Sequence, residues 1–244
     1  MNQDCLAETT ERPAAAVWLD AWERGMAASL VRRPAVLLET FHGSAAAPAS
    51  WALGRREAAL LELRATLFGA TMESVAACPE CGGLVEFAVK VDEILAGAPP
   101  GEPPVVTVDI SGVRGVFRLP HTGDLEAAAR VPAVQRRRFL INRCLVECAS
   151  AETLPEEFLA AVARQMEEAD PLGDVCLHLS CPECRHVWDA PLDAGSFLWS
   201  ELNSWATRLM SEIHLLAASF GWSEPEILAL PPHRRRFYLD RLQA

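Results

Sequence analysis

The chain has almost no lysine: Lys90 is the only one, and arginine supplies the other permanent positive charges. Together with the abundance of alanine, this is typical of a GC-rich genome, so the choice of arginine is not evidence of guanidinium chemistry. Positive charge is scarce as a whole, because 22 Lys and Arg stand against 33 Asp and Glu, a net charge of −11. A nucleic-acid binder usually has a basic surplus, since neutralising phosphates supplies much of its affinity. The composition therefore disfavours nucleic acid as a partner.

The chain also lacks the segments that carry a protein into or across a membrane. No stretch approaches the roughly 18 to 20 apolar residues that cross a bilayer. The N-terminal residues include Asp4, Glu8 and Glu11, and they lack the basic flank and apolar core of a secretory signal. We therefore expect a cytoplasmic protein of the producing or host cell, without membrane insertion. In such a protein, eight cysteines indicate thiols and metal binding more than a disulfide framework.

Motifs of the common catalytic sites are missing as well. The sequence contains no glycine-rich nucleotide-binding motif, no H-E-x-x-H and no G-x-S-x-G. His42, His121, His214 and His233 are scattered along the chain. These observations predict a protein that is not an enzyme and has no small-molecule substrate.

Apolar periodicity predicts a mainly α fold with a small β subdomain of the zinc-ribbon type, α+β overall. A first amphipathic helix is expected from Trp18 to Leu30, and the most regular helix from Leu198 to Phe220. Gly69 and Gly221 stand where C-terminal caps are expected. The predicted organisation has five segments. They are an N-terminal tail and helix (1–50), a helix with a first C-P-E-C zinc knuckle and a strand (51–95), an inserted hairpin and helical subdomain (96–172), a second C-P-E-C zinc knuckle (173–195) and a C-terminal helical segment (196–244).

Local signals predict smaller elements in the inserted and C-terminal segments. A hairpin is expected to turn at residues 111–112, Asp124 to cap a helix, and Pro132 to begin another helix. On that helix Cys144 and Cys148 would lie one turn apart, as buried small apolar residues. Further elements are predicted as follows: a helix over 154–170, strand-like runs at 84–91 and 175–179, a short helix with a capping box at Ser223 and Glu226, and a last helix after Pro231-Pro232.

Two identical C-P-E-C sequences carry the strongest functional signal. Cys78 and Cys81 form the first, and Cys181 and Cys184 the second, with residues 82–180 between them. Each C-x-x-C turn places two sulfurs on one side, so two turns that face each other give the four-thiolate shell that zinc prefers. We therefore predict one structural Zn²⁺ bound by all four cysteines, as a split zinc ribbon around the inserted helical segment.

Other interpretations of the cysteine motifs are weaker. A redox pair of the thioredoxin type needs a helix that begins at the motif, whereas strand-like runs follow both motifs here. His178 and His186 flank the second knuckle and could replace a thiolate, but with four cysteines available we expect them to be solvated or to support the ligands. Cys5 and Cys176 carry no signal.

The chain has two arginine runs, one in its middle and one near its C-terminal end, and a group of tryptophans in its last third. Arg136 to Arg138 and Arg234 to Arg236 fit solvated helix faces that pair with the acidic excess. The C-terminal tryptophans fit core packing, although part of this aromatic stripe could be exposed for a protein partner.

Several longer segments carry a resemblance to a known family. They are Arg56-Glu57 with Leu61, Leu63, Arg64, Phe68 and Gly69 ahead of CPECGG, RLPHTGDLEAAA (118–129), ADPLGDVCLHLSCPEC (169–184), SFLWSELNSWATRLMSEIHLLA (196–217) and GWSEPEILALPPHRRRFYLDRL (221–242). Together they resemble the T-even-type phage baseplate hub assembly chaperone family, whose members also look to be encoded among the tail genes of contractile injection systems. The resemblance spans roughly residues 50–242, and its C-terminal signature is the most specific part. The paired knuckles are kept by some relatives only, which implies that zinc supports the fold.

The resemblance implies a non-enzymatic assembly chaperone or accessory protein for the baseplate hub of a phage tail or contractile injection system. Its expected partners are hub or spike proteins of a tail-like assembly, and it could remain within an assembled particle. Two alternatives stay open: a permanent structural baseplate subunit, and a zinc-ribbon nucleic-acid-binding or regulatory protein. The residues of the signature segment that we expect to face the partner are Trp222, Glu226, Ile227, Leu228, Arg235, Arg236 and Tyr238.

Overall fold

A computed structural model describes residues 15–43, 50–97, 105–110, 112–148 and 154–242. The predicted tail at the N-terminus, most of the linker 44–50 and most of the connector 97–104 lie outside these residues. Within them the chain forms ten α-helices and three small antiparallel sheets, so the α+β prediction is confirmed. No helix in these ranges has the length and apolar character needed to cross a membrane.

Four helices form the body of the molecule. They are α1 (Ala15–Ala27), α2 (Arg33–His42), α3 (Leu53–Phe68) and α8 (Ala194–Phe220). Their apolar faces meet in one core that includes Trp18, Leu38, Leu60, Leu198 and Leu202, each no more than 1% exposed. The length of α8 follows from its apolar period and from Gly221, whose left-handed backbone caps its C-terminal end, as predicted.

Two hairpins extend from this body. The first pairs β1 (Thr71–Ala77) with β2 (Leu84–Lys90), and the second pairs β6 (Cys176–Ser180) with β7 (Val187–Pro191). Each hairpin is a separate two-stranded sheet. A short helix, α4 (Val91–Leu95), follows β2 directly.

The segment between the hairpins has a core of its own. A three-stranded sheet of β3 (Val106–Ile110), β4 (Val113–Phe117) and β5 (Leu145–Cys148) packs against α7 (Glu156–Ala169). Helices α5 (Thr122–Ala128) and α6 (Ala133–Cys144) complete it, and the 3-10 turn Pro171–Asp174 leads back to the second hairpin. Phe117 and Phe158 are at the centre of this core.

Two polar contacts join elements of this fold that are far apart in sequence. The Arg64 guanidinium donates to both carboxylate oxygens of Glu201, at 2.9 and 2.8 Å, and so joins α3 to α8. The N–H of Gly54 at the start of α3 donates to the Asp170 carboxylate at 2.9 Å, although 116 residues separate the two in sequence. An added Cβ at Gly54 would lie 1.8 Å from an Asp170 oxygen, so a larger residue there would displace the Asp170 carboxylate from its present position.

The C-terminal residues fold back on the second half of α8. Ser223 and Glu226 form the predicted capping box at the start of α9 (Glu224–Leu228), and α10 (Pro232–Leu242) follows. Ile227 is fully buried, and Arg235 donates to the carbonyl oxygen of Leu230 at 2.9 Å.

Three local predictions were wrong. The first helix ends at Ala27, and Leu30 is 73% exposed in the turn before α2, a helix that was not predicted. Asp124 is not the cap of α5, because His121 has that position and Asp124 is the third helical residue of a capping box. Helix α6 ends at Cys144, and the next four residues are strand β5, so Cys144 and Cys148 are not one helical turn apart. Pairing with β4 accounts for this change of structure, since no glycine or proline interrupts the sequence there.

Candidate metal centre

The two hairpins present their C-P-E-C sequences in the same way. In each, the first strand ends one residue before the first cysteine, and the second strand begins three residues after the second cysteine. The N–H of Cys78 donates to the carbonyl oxygen of Gly83 at 2.8 Å, and the N–H of Cys181 donates to that of His186 at the same distance. Both knuckles are therefore the same turn between paired strands.

The residue that follows each knuckle reverses the chain with a positive φ. Gly82 has a φ of 75° and Arg185 a φ of 62°, and Arg185 is the only non-glycine residue with a positive φ in the described part of the chain. The N–H groups of Gly82 and Arg185 both donate at 2.9 Å to the carbonyl oxygen of the first cysteine. Both knuckles thus need a residue in the left-handed conformation at this position. In the first knuckle the residue is a glycine, which adopts it freely, and in the second it is an arginine, which is strained there.

The four sulfur atoms converge from the two hairpins. The Cys78 and Cys184 Sγ atoms lie 3.6 Å apart, as do those of Cys81 and Cys181. All four sulfurs lie within 4.8 Å of one another, so a single metal ion can contact them all. It is the only such group of ligand atoms found among the described residues.

The cluster is closed on one side and open to solvent on the other. Cys78 and Cys181 are each 2% exposed, and they pack with Val85 and the half-buried Trp188. The second cysteine of each knuckle is exposed. The sulfurs therefore lie at the surface, where an ion can enter, but against an apolar floor.

The thiols of the cluster differ in their pKa values. Burial raises the pKa of the Cys78 thiol, but the N–H groups of Cys81 and Glu80 oppose it and bring that pKa down to about 7. The N–H of Gly83 lowers the pKa of Cys81, but the neighbouring thiols of Cys184 and Cys181 outweigh it and raise it to about 12. Thiols this close together do not all ionise readily, because the negative charges of the thiolates repel one another. A cation at the centre of the cluster would offset this repulsion.

The histidines of the second hairpin are not part of the cluster. His178 Nδ1 lies 2.9 Å from an Asp189 carboxylate oxygen, across β6 and β7, and both side chains are exposed. The His186 ring stacks on Trp188 with a centroid distance of 6.2 Å. Of the other thiols, Cys176 is exposed, and burial raises the pKa of the buried Cys144 to about 11. The expectation that four cysteines suffice agrees with this arrangement.

The seven residues expected to face a partner do not share one environment. Ile227 is 0% and Arg235 6% exposed, so both hold the last helices in place. Glu226 accepts hydrogen bonds from the N–H and the hydroxyl group of Ser223. Trp222, Leu228 and Tyr238 are half-buried, and Arg236 is exposed.

Two exposed aromatic residues at this end were not among the predicted site residues. Phe220 is 41% and Phe237 is 55% exposed. Both contact Tyr238, with ring centroids 5.8 and 5.7 Å away. The spacing of the sequence could have indicated Phe237. It lies three residues after Arg234 and four before Arg241, so all three side chains are on one face of α10.

Outside the candidate metal centre, a cluster of charged side chains surrounds Asp124 in the inserted segment. Its carboxylate is fully buried and accepts from Arg118 at 2.6 and 2.9 Å, from Arg143 at 3.0 Å and from the N–H of His121 at 3.0 Å. Burial raises the pKa of Asp124, but these donors outweigh it and lower the pKa to about 2. The Asp124 carboxylate thus connects α5 to α6 and to the residue that follows β4.

Comparison with protein-family models, with curated proteins and with solved structures gave no match.

Proposed function

We propose that this chain is a non-enzymatic assembly chaperone or accessory protein for the baseplate hub of a phage tail or contractile injection system, stabilised by a structural Zn²⁺ ion. The ion would be bound by Cys78, Cys81, Cys181 and Cys184. The observation that carries the zinc proposal is the convergence of these four sulfurs from two hairpins far apart in sequence.

The sulfur geometry supports zinc as the metal. A tetrahedral ion with Zn–S bonds of about 2.3 Å separates its sulfurs by about 3.8 Å. Two of the sulfur pairs are 3.6 Å apart, close to that value, and all four sulfurs lie within 4.8 Å of one another. Four thiolates are the donor set of structural zinc sites, which keep no coordination position for water or substrate. The ion would therefore hold the hairpins together.

Metal analysis tests this part of the proposal. We expect about one equivalent of zinc per purified chain, and a loss of most of it in Cys78→Ser. Cys176→Ser is the matched control, because Cys176 is an exposed thiol on β6 outside the cluster. Equal zinc in both variants would contradict the assignment of ligands.

The baseplate role is supported by where the resemblance to the chaperone family falls in the structure. The described residues include six buried polar or charged side chains: Glu57, Arg64, Thr122, Asp124, Asp170 and Arg235. All six belong to the segments that carry the resemblance. Because a buried polar group is tied to specific partners, residues of this kind specify one fold. The segments that carry the resemblance therefore include all of the buried polar residues found in the described part of the chain, which is what a relationship through a common fold would lead us to expect.

Affinity purification from the native producer tests the role itself. A tag at the N-terminal end leaves α10 unaltered, and mass spectrometry then identifies the proteins that accompany the chain in the free and the particle-bound fractions. Hub or spike proteins in the free fraction alone are expected for an assembly chaperone. The chain in finished particles would instead identify a permanent baseplate subunit, and recovery of nucleic acid without tail proteins would overturn both roles.

A further inference from the structure

Four aromatic rings form a continuous ladder at the C-terminal end of the molecule. Phe220 stacks on Trp222 with a centroid distance of 4.8 Å, and Trp222 meets Tyr238 edge-on at 4.9 Å. Tyr238 in turn contacts Phe237 at 5.7 Å. The ladder thus connects the end of α8 to the exposed face of α10.

Both ends of the ladder are open to solvent. Phe220 and Phe237 are 41% and 55% exposed, whereas Phe117 and Phe158 in the inserted core are no more than 1% exposed. Apolar rings fixed by their neighbours lose little conformational entropy on binding, and such side chains dominate binding hot spots. The ladder is therefore suited to contact another molecule.

Arginine side chains flank the exposed end of the ladder. The Arg241 guanidinium lies 5.3 Å from the centre of the Phe237 ring, and Arg234 is exposed one turn before Phe237. Helix α10 carries four arginines and one aspartate, Asp240, in a chain whose net charge is −11. This end of the molecule thus differs in charge from the chain as a whole.

The nearby acidic groups are partly engaged. Arg235 is 3.4 Å from the Glu212 carboxylate, and Glu226 caps α9. Glu224 and Asp240 are exposed on α9 and α10. Arg234 and Arg241 are exposed on α10 at three and four residues from Phe237, and Asp240, three residues from Phe237, offsets part of their positive charge.

We infer that this aromatic–arginine patch, formed by Phe220, Trp222, Phe237, Tyr238, Arg234 and Arg241, binds an acidic segment of a partner polypeptide that carries apolar side chains between its carboxylates. The rings receive the apolar side chains, and the guanidinium groups receive the carboxylates. The inference deepens the proposed function, because it places the hub or spike contact on the patch and states the charge of the bound segment. Nucleic acid fits less well, since two flanking arginines with Glu224 and Asp240 nearby do not form a basic groove that follows a phosphate backbone.

The chain contains one tyrosine, Tyr238, and this makes the patch directly observable. Incorporation of 3-fluorotyrosine gives the full-length protein a single ¹⁹F resonance inside the ladder. The probe is a synthetic peptide in which Glu-Glu pairs alternate with Leu and Trp. We expect this peptide to shift the resonance saturably, and a peptide with Lys in place of every Glu to leave it unchanged.

Variants separate the patch from general charge effects. Arg234→Glu/Arg241→Glu and Phe237→Ser change exposed side chains, and each is expected to weaken peptide binding by at least about tenfold. The matched control is Arg136→Glu/Arg137→Glu, which reverses two exposed arginines of the other basic run, on α6, and is expected to bind as the unaltered protein does.

Several results would overturn the inference. They are an unmoved resonance at saturating acidic peptide, an equal shift with the lysine peptide, and a stronger response to a single-stranded oligothymidylate. A concentration-dependent dimer in analytical ultracentrifugation that Phe237→Ser abolishes would assign the patch to a second copy of the chain instead.

The same variants distinguish this inference from the proposed function. If the tagged chain recovers hub proteins and Phe237→Ser recovers them equally, the patch is not the contact and the baseplate role stands. If the unaltered chain recovers no tail protein, the role is wrong, and the peptide titration still decides whether the patch binds acidic segments.

Discussion

Among the described residues, the core of the helical body contains fourteen buried apolar residues, of which only Met72 comes from a hairpin and Val91 from α4. Farther from the body, the hairpin pair shares a cluster of three buried residues, two of which are cysteines of the candidate metal centre. From the size of its core, we expect the helical body to remain packed without any ligand. Two-stranded hairpins are at best marginally stable in water on their own. We therefore expect the hairpins to depend on the proposed zinc ion and the body not to, so each region should respond to a different change.

The largest effect is expected from removal of one ligand. Cys78→Ser should open both hairpins, because the binding free energy of a structural zinc ion is folding free energy for the segment that it holds. Arg185, in the second knuckle, is a trypsin site, and its cleavage should accelerate at least about a hundredfold. Mass spectrometry of limited digests measures this, and Cys176→Ser should be cut as slowly as the unaltered protein. Equal cleavage rates in all three proteins would mean that the hairpins hold together without the ion.

A change in the body should produce the opposite pattern. Leu198 is fully buried in α8, so Leu198→Ala should lower the free energy of unfolding by about 2 to 5 kcal/mol through lost contacts and a cavity. Urea denaturation followed by circular dichroism gives the value. Leu215→Ala, on a side chain of the same helix that is 46% exposed, should stay within about 0.5 kcal/mol. Zinc content should be unchanged in both, and its loss in Leu198→Ala would show that the regions are not independent.

The inserted segment allows an intermediate test through Asp124. Asp124→Asn removes the charge that Arg118 and Arg143 share, and we expect a loss of about 2 kcal/mol at neutral pH. The pKa of Asp124 in the folded protein is lowered to about 2. Its contribution is therefore complete above the unfolded pKa of about 4 and disappears as pH falls towards 2. The stability difference between the two proteins should shrink over that range, and a constant difference from pH 7 to pH 3 would contradict the ionic origin.

The smallest expected effect compares the two knuckles. Arg185→Gly relieves the positive φ of the second knuckle and should stabilise it by about 1 kcal/mol. Gly82→Ala should cost a similar amount through its backbone alone, since an added Cβ there meets no atom within 4 Å. Competition with a zinc chelator measures both. A weaker affinity in Arg185→Gly would mean that the arginine side chain itself supports the site.

Features with local signals could be predicted from the sequence. The C-x-x-C turns, the glycine at the end of α8 and the capping box at Ser223 depend on nearby residues only, and all were found. Helix α2 was missed although Pro34 lies in its first turn, which is a usual signal for a helix start. Strand β1 was missed because its apolar residues are few and it depends on pairing with β2.

Features created by distant contacts could not be predicted. The carboxylate of Asp170 caps α3 across 116 residues, and β5 exists because β4 lies beside it. The aromatic ladder brings Phe220 and Phe237 together only after α10 folds back on α8. For the same reason, the sequence of the C-terminal signature could not show that Ile227 and Arg235 are buried while residues next to them are exposed.

Hydrogen exchange with and without a zinc chelator tests the central claim most directly. We predict that chelation removes amide protection from residues 71–90 and 176–191 and leaves it intact in α3 and in residues 194–209. Protection that persists in both hairpins after the metal is removed, or that is lost equally across the helical body, would contradict the claim that the ion holds the hairpins and not the body.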